Sequence, residues 1–225
     1  HHEHRRQRQM CIRDSKDIDL NYLIDITSGM SCAEIENLLN EAMLNALREN
    51  REEISLLDLD NILGKSIIGW KETENVFSHE MKKKIAVHEL GHAVSGLLLR
   101  DHSNLSRVYI NSCSPNNPGY NIFETNEIDA NIFTKEKLLS HLIVLLSGRN
   151  AETLFFGESV TTGASKDFQQ AYQLAEEMII KYGMGSYNIY TFTSDKSKEI
   201  IDTEISLLIE KANKKSIEIL NECIY

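Results

Sequence analysis

Residues 84–98 of the chain read KIAVHELGHAVSGLL, and this stretch decides how the rest of the sequence is interpreted. It predicts an α-helix on which His88 and His92, four residues apart, project from one face. Two neutral imidazoles so placed can share a zinc ion, and Glu89 can reach a water on that ion without binding the metal itself. Apolar neighbours surround the three polar side chains, whose burial would be costly without partners. The pattern therefore predicts a hydrolytic zinc site, with His88 and His92 as ligands and Glu89 as general base.

A zinc site of this kind needs a third protein ligand, which leaves one position for water. The extended pattern with a third histidine would place that ligand at position 98, which is Leu98. Two downstream acidic residues are therefore candidates. Asp167 lies in the first turn of a predicted helix, where it could instead serve the helix dipole. Glu152 lies on another predicted helix, where it could instead pair with Arg149. Sequence spacing alone does not choose between them.

Composition is that of a soluble globular protein long enough for one large domain or two small ones, with 225 residues, 41% apolar and 26% charged. The chain has only two prolines and eleven glycines, and this scarcity of helix-breaking residues favours helix. A net charge of −10 excludes nucleic acid as the main partner. The cysteines are too far apart for a metal knuckle or a redox pair, so we expect free thiols in a reducing compartment: Cys11, Cys32, Cys113 and Cys223.

Helical periodicity dominates the chain, which predicts a mainly α fold. Residues 1–16 are basic, histidine-rich and aperiodic, and are interpreted as a non-native or disordered leader. Residues 17–64 predict a small helical subdomain, which includes a helix with a Ser-x-x-Glu capping box at Ser31 and Glu34. Residues 65–225 predict a helical domain with a small β-sheet. Its predicted elements are helices at 78–99, 134–156, 165–182 and about 200–222, and strands at 105–111 and 119–124.

Other motifs predict no site. The LGKS at 63–66 lacks the first glycine of a phosphate loop, because that position is Leu59. His79 is interpreted as a helix-start residue, His141 as a core or surface histidine, and His102 as part of a polar turn. Gly91 has a steric interpretation, since a side chain there could crowd a neighbouring backbone.

Four blocks in order resemble the FtsH family of membrane-anchored AAA+ zinc metalloproteases, and the resemblance covers residues 17–222. The blocks are DLNYLIDITSGMSCAEIENLLNEAMLNALREN (19–50), AVHELGHAVSGLLL (86–99), LLSGRNAETLFFG (145–157) and TTGASKDFQQAYQLAEEMIIKYGMG (161–185). The first resembles the helical lid of the AAA module, assigned to residues 17–64, and the others resemble the peptidase domain, assigned to residues 65–225. Two departures are the NSCSPNNPGY segment, which replaces the usual Pro-Arg-Gly turn, and Met30-Ser31-Cys32 in the lid.

For the site, the resemblance implies zinc ligation by His88, His92 and Asp167, with Glu89 as catalytic base. It makes Glu152 a candidate for orienting a ligand histidine. It also implies that strand 105–111 holds an extended polypeptide substrate by strand addition.

For the whole protein, the resemblance implies a zinc endopeptidase that degrades unfolded or membrane proteins as a homo-hexamer. ATP and Mg²⁺ would bind only a missing upstream ATPase core. Missing N-terminal helices would anchor the protein in the cell membrane, with these domains on the cytoplasmic side and this fragment itself soluble. The alternative is a non-catalytic, zinc-stabilised oligomerisation module of an AAA+ assembly, whose structural site would normally be closed by a fourth protein ligand.

Overall fold

A computed structural model of the chain describes residues 23–24, 27, 30–68, 77–110, 118–124, 132–186 and 195–224. They fall into two compact units, divided between Glu72 and Thr73. Helices dominate both units, so the predicted mainly α fold is confirmed. Several features named from the sequence lie wholly or largely outside the described residues: the leader at 1–16, the start of the subdomain at 17–29, the NSCSPNNPGY segment, Cys11 and Cys113.

The first unit is built on two helices, α1 (Cys32–Arg48) and α2 (Leu56–Ile68). The predicted capping box begins α1, since Ser31 Oγ accepts from the backbone N–H of Glu34 and the Glu34 carboxylate accepts from that of Ser31. Helix α2 runs past Gly64, the glycine at the end of the predicted subdomain, and continues to Ile68, because a single glycine is tolerated inside a helix. The core of this unit comprises Leu38, Ala42, Ile54, Leu59, Ile62 and Leu63.

A buried carboxylate joins the two helices of this unit. Asp58, 1% exposed, accepts hydrogen bonds from both terminal nitrogens of Arg51 at 2.7 Å and from Nδ2 of Asn45 at 2.7 Å. The backbone N–H and hydroxyl of Ser55 donate to it as well, at 2.8 and 2.7 Å. These bonds, Arg51 first, hold the pKa of Asp58 well below its ordinary value. The buried charge of Asp58 is therefore compensated by a guanidinium and by neutral donors within the unit.

The second unit carries two strands among its helices. In chain order its elements are α3 (His79–Leu98), β1 (Asn104–Ile110), β2 (Gly119–Glu124), α4 (Lys135–Phe156), α5 (Ser165–Glu176), a π-helical turn (Glu177–Lys181) and α6 (Asp195–Ile224). The helix predicted at 165–182 is thus interrupted by a π-helical turn, which apolar periodicity does not reveal. The last helix begins five residues before its predicted start near 200, because its first turn, DKSKE, is polar and gives no periodic signal.

Helix α4 is the centre of this unit and packs against α3 on one side and α6 on the other. A Cβ at Gly91 would lie 2.6 Å from the Ser147 carbonyl oxygen, which confirms the steric interpretation of that glycine. On the other side, Ser147 and Asn150 bond the buried Ser216 hydroxyl of α6 at 2.9 and 3.0 Å. The apolar core comprises Leu142, Ile143, Leu145, Leu146, Ala171, Ala175, Ile179, Ile201, Ile205, Ala212 and Ile219.

The sheet is an antiparallel pair in which Tyr109 faces Tyr120, with an irregularity between Leu105 and Arg107. Among the described residues, no helix is both long enough and apolar enough to cross a membrane.

Candidate metal centre

The three polar residues of the opening motif are buried on α3. Ser78 caps the start of this helix by accepting from the backbone N–H of Met81. His88, Glu89 and His92 are 8%, 6% and 8% exposed. Their burial shows that the face carrying them turns into the protein, as the motif predicts.

Asp167 joins the two histidines from the first turn of α5. Its Oδ2 lies 3.1 Å from Nε2 of His88 and 3.6 Å from Nε2 of His92, and the two Nε2 atoms are 3.1 Å apart. Within the described part of the chain these three residues form a group that could hold a metal ion. Of the two candidate acids, it is Asp167, and not Glu152, that belongs to this group.

The opposite ring nitrogens of both histidines face acceptors. Nδ1 of His88 lies 2.7 Å from Oε1 of Glu152, and Nδ1 of His92 lies 2.7 Å from the carbonyl oxygen of Val144. Because a carboxylate and a carbonyl only accept, each Nδ1 must carry the proton, which leaves a lone pair on each neutral Nε2. Three acceptor atoms thus face one another across 3.1–3.6 Å, and only a cation or an added proton can lie between them.

This triangle of atoms has the dimensions of a zinc site. Zinc binds imidazole nitrogen and carboxylate oxygen at about 2.0–2.2 Å, so a tetrahedral site has ligand–ligand edges of roughly 3.3–3.5 Å. The three observed edges bracket that range. Neutral imidazoles backed by a carboxylate or a carbonyl are also the usual state of zinc-binding histidines. The residues present therefore fit a zinc ion.

One face of α4 supports the site along its whole length. Glu152 and Val144 hold the two imidazoles, and between them Gly148 leaves the space that the rings occupy. A Cβ at Gly148 would lie 2.4 Å from Nε2 of His92 and 2.7 Å from Cε1 of His88. Because Val144, Gly148 and Glu152 are four residues apart, the signal for this face was present in the sequence as a helical repeat.

Glu152 is itself held by the loop before α5. Fully buried, it accepts from the backbone N–H of Thr161 at 2.6 Å and from the Thr161 hydroxyl at 3.2 Å. The Arg149 guanidinium donates to the Thr161 carbonyl oxygen and lies over the Phe168 ring. Arg149 thus supports the loop that carries the Glu152 donors, whereas the sequence suggested a direct Arg149–Glu152 pair.

At His88 and Asp167, burial and the neighbouring charged groups shift the pKa in opposite directions. Burial lowers the pKa of His88, but Asp167, Glu89 and Glu152 outweigh it and raise that pKa above its ordinary value. Burial raises the pKa of Asp167, yet the close approach of the His88 and His92 imidazoles holds it well below its usual range. Both shifts show that this centre favours positive charge among its three acceptors.

Glu89 lies beside this group at the wall of a cleft of about 560 Å³. Burial is the main cause that raises its pKa, and the imidazoles of His92 and His88 oppose the shift. Nδ2 of Asn121, on β2, donates to Oε2 of Glu89 at 2.8 Å. Sequence reasoning missed Asn121, because its contact with Glu89 spans 32 residues.

His141 also lines the cleft, one helical turn before Val144. Its Nδ1 lies 3.3 Å from Nε2 of His102, and the two rings stack. Burial lowers the pKa of His141 to about 4. The sequence left this histidine without a site, and its position on the supporting face of α4 was the available signal. His79, as predicted, begins a helix.

Residues 75–193 match the family model of peptidase family M41, and residues 17–61 match that of the AAA+ lid domain. The first match spans more than half of the chain. The chain belongs to peptidase family M41. The histidines, acidic residues and glycines of the candidate metal centre all lie within the M41 match. Membership of this family makes the chain a metalloendopeptidase.

Three relatives of this M41 chain are named ATP-dependent zinc metalloproteases of the FtsH type. The ATP-dependent zinc metalloprotease FtsH of Aquifex aeolicus is 37% identical over 76% of this chain and 27% of its own length. FtsH of Caldicellulosiruptor bescii is 33% identical over 93% of this chain and 36% of its own length. FtsH 3 of Sphaerobacter thermophilus is 37% identical over 87% of this chain and 41% of its own length. The chain thus spans about a third of the length of these relatives, and the predicted FtsH-family resemblance is confirmed.

Proposed function

We propose that the second unit is a zinc-dependent endopeptidase domain in which His88, His92 and Asp167 hold the metal and Glu89 is the general base. The observation that carries this proposal is the triangle of three acceptor atoms, 3.1–3.6 Å apart. The buried carboxylate of Glu89 lies beside this triangle and is not part of it. A zinc ion held there would lower the pKa of its water ligand to about 7 and polarise the scissile carbonyl group.

The residues of the chain have distinct roles in this reaction. Glu89 accepts the proton of the attacking water and passes it to the leaving amine nitrogen. A pKa raised by burial suits this role, because it brings the carboxylate closer to the working pH. Glu152 and the Val144 carbonyl oxygen keep each ligand imidazole in one tautomer and one orientation.

The number of ligands favours catalysis over the alternative of a non-catalytic, zinc-stabilised oligomerisation module. A structural zinc site is closed by four protein ligands, whereas a catalytic one has three and keeps a position for water. The metal-binding group found among the described residues has three members. Glu89, beside the group and held by Asn121, has no role in a purely structural site.

An extended polypeptide is the proposed substrate. The family resemblance implied β1 as the strand that would pair with it, but the strand whose residues line the cleft is β2, through Gly119, Asn121 and Phe123. Within the described residues β2 pairs only with β1, so its other edge offers backbone groups to a peptide. We therefore place strand addition at β2.

The wider activity follows from the names of the relatives and from the lid. We propose that the chain works in an ATP-dependent protease, because residues 17–61 match an AAA+ lid and the relatives are named ATP-dependent zinc metalloproteases. The FtsH resemblance supports a homo-hexamer, anchorage in a membrane, and unfolded or membrane proteins as substrates.

The test uses a short unstructured peptide, which requires no unfolding motor. Glu89→Gln should keep one zinc per chain and lose about 10²–10⁴-fold in cleavage rate, the usual contribution of a general base. Glu80→Gln makes the same change at an exposed site on the same helix and should leave both unchanged. Chelation should abolish cleavage by the unmodified chain. Full cleavage by Glu89→Gln would refute the assigned base, and stoichiometric zinc without chelator-sensitive cleavage would favour the module.

A further inference from the structure

The carboxylate of Glu89 is held by a strand and not by its own helix. Asn121 on β2 donates from Nδ2 to Oε2 of Glu89 at 2.8 Å and to the main-chain oxygen of Glu89 at 3.1 Å. Both partners can only accept, so the amide orientation is fixed, with its NH₂ group toward Glu89. A single side chain thus ties the carboxylate to its own backbone.

Gly119 completes the contact two residues earlier on the same face of β2. A Cβ at this position would lie 2.5 Å from both Cγ and Oε1 of Glu89. The absent side chain at Gly119 therefore provides the space for the carboxylate, and the amide of Asn121 provides the donor. Together the two residues form a slot for Glu89, which we call the Glu89 slot.

The orientation of Asn121 leaves one of its own polar atoms without a partner. Its Oδ1 is buried and accepts no hydrogen bond from any described residue. A buried amide gains stability when both of its ends are paired, so this arrangement is not the one that packing alone would favour. Such exceptions occur where a residue serves the chemistry of a site.

We propose that Asn121 is a positioning residue for the general base, an inference that rests on the proposed function. By occupying Oε2, Asn121 leaves Oε1 of Glu89 to accept the proton of the attacking water. Without this donor, the glutamate side chain gains rotational freedom about its three torsions and spends less time in the productive geometry. Asn121 thus acts through Glu89.

The test compares Asn121→Asp, which keeps the shape but removes the donor and adds a repelling charge, with Asn121→Ala, which removes the whole amide group without adding a charge. For both, we expect kcat for the short peptide to fall about 10–100-fold, as is common when the partner of a site residue is lost. We expect KM to change less than about threefold and zinc content to stay at one per chain. Asn61→Asp adds the same charge at an exposed position of the first unit and should match the unmodified chain.

A second readout does not depend on turnover. Binding of a small hydroxamate, measured by calorimetry on the zinc-loaded chain, should weaken about 10-fold or more in both Asn121 variants, because a hydroxamate is a hydrogen-bond donor and an accurately placed Glu89 carboxylate can accept from it. Unchanged kcat and unchanged hydroxamate affinity in zinc-loaded Asn121→Ala would overturn the positioning role alone. An unmodified chain that binds neither zinc nor hydroxamate would overturn the proposed function, and the positioning role with it.

Discussion

Each unit holds an aspartate, buried in the first (Asp58) and half-buried in the second (Asp167), and the two negative charges are compensated in opposite ways. In the first unit Asp58 receives five hydrogen bonds, and the guanidinium of Arg51 supplies the positive charge. In the second unit Asp167 faces two imidazoles whose protons point away from it. A carboxylate paired with a fixed cation is satisfied within the fold, whereas a carboxylate that shares a space with two lone pairs requires a cation from solution.

The largest expected effect separates these two aspartates by metal content. Asp167→Asn should abolish stoichiometric zinc binding and cleavage, because an amide oxygen is a much weaker zinc ligand than a carboxylate. Asp58→Asn should leave zinc at one per chain and should destabilise the first unit by about 1–3 kcal/mol. Metal analysis reports the first effect, and faster hydrogen exchange in α1 and α2 reports the second. Equal zinc content in the two variants would break the comparison.

An intermediate effect is expected where a carboxylate supports a ligand. In Glu152→Gln, the side-chain oxygen can still accept from His88, but the new NH₂ group takes the place of Oε2 and faces the backbone N–H donor of Thr161. We expect zinc affinity to fall about 10–100-fold while the chain stays folded. Competition with a chromophoric chelator measures this affinity. A zinc affinity equal to that of the unmodified chain would show that His88 is oriented without Glu152.

The smallest expected effect is a pH dependence of the first unit. The folded-state pKa of Asp58 is depressed, so its contribution to stability is fully present above the unfolded value near 3.9 and is lost as pH falls below it. We expect a loss of about 1–3 kcal/mol between roughly pH 5 and pH 2. Hydrogen exchange of α1 and α2 across this range should show it, and Asp58→Asn should flatten the dependence. An unchanged slope in that variant would assign the acid sensitivity to other groups.

Local signals in the sequence accounted for most of the fold. The capping box at Ser31 and the apolar repeats predicted the helices to within a few residues, because caps and periodicity are properties of short segments. The early start of α6 and the π-helical turn after α5 were not predicted, because neither changes the spacing of the apolar residues.

In the candidate site too, residues close in sequence were predicted, and contacts between distant segments were not. His88, Glu89 and His92 were identified from five residues, because one helix turn brings them together. The residues alone could not choose between Asp167 and Glu152, since both approach His88 from other helices, one at each ring nitrogen. The Glu89 slot left no sequence signal, because the hydrogen bond from Asn121 depends on how β2 packs against α3.

The most direct test of the central claim is a crystal structure of the zinc-loaded chain with anomalous data collected on both sides of the zinc absorption edge. The account predicts one strong anomalous peak about 2.0–2.2 Å from Nε2 of His88, Nε2 of His92 and a carboxylate oxygen of Asp167, with Glu152 on the far side of the His88 ring. A peak that is coordinated by Glu152 in place of Asp167, or no peak between the two histidines, would contradict it.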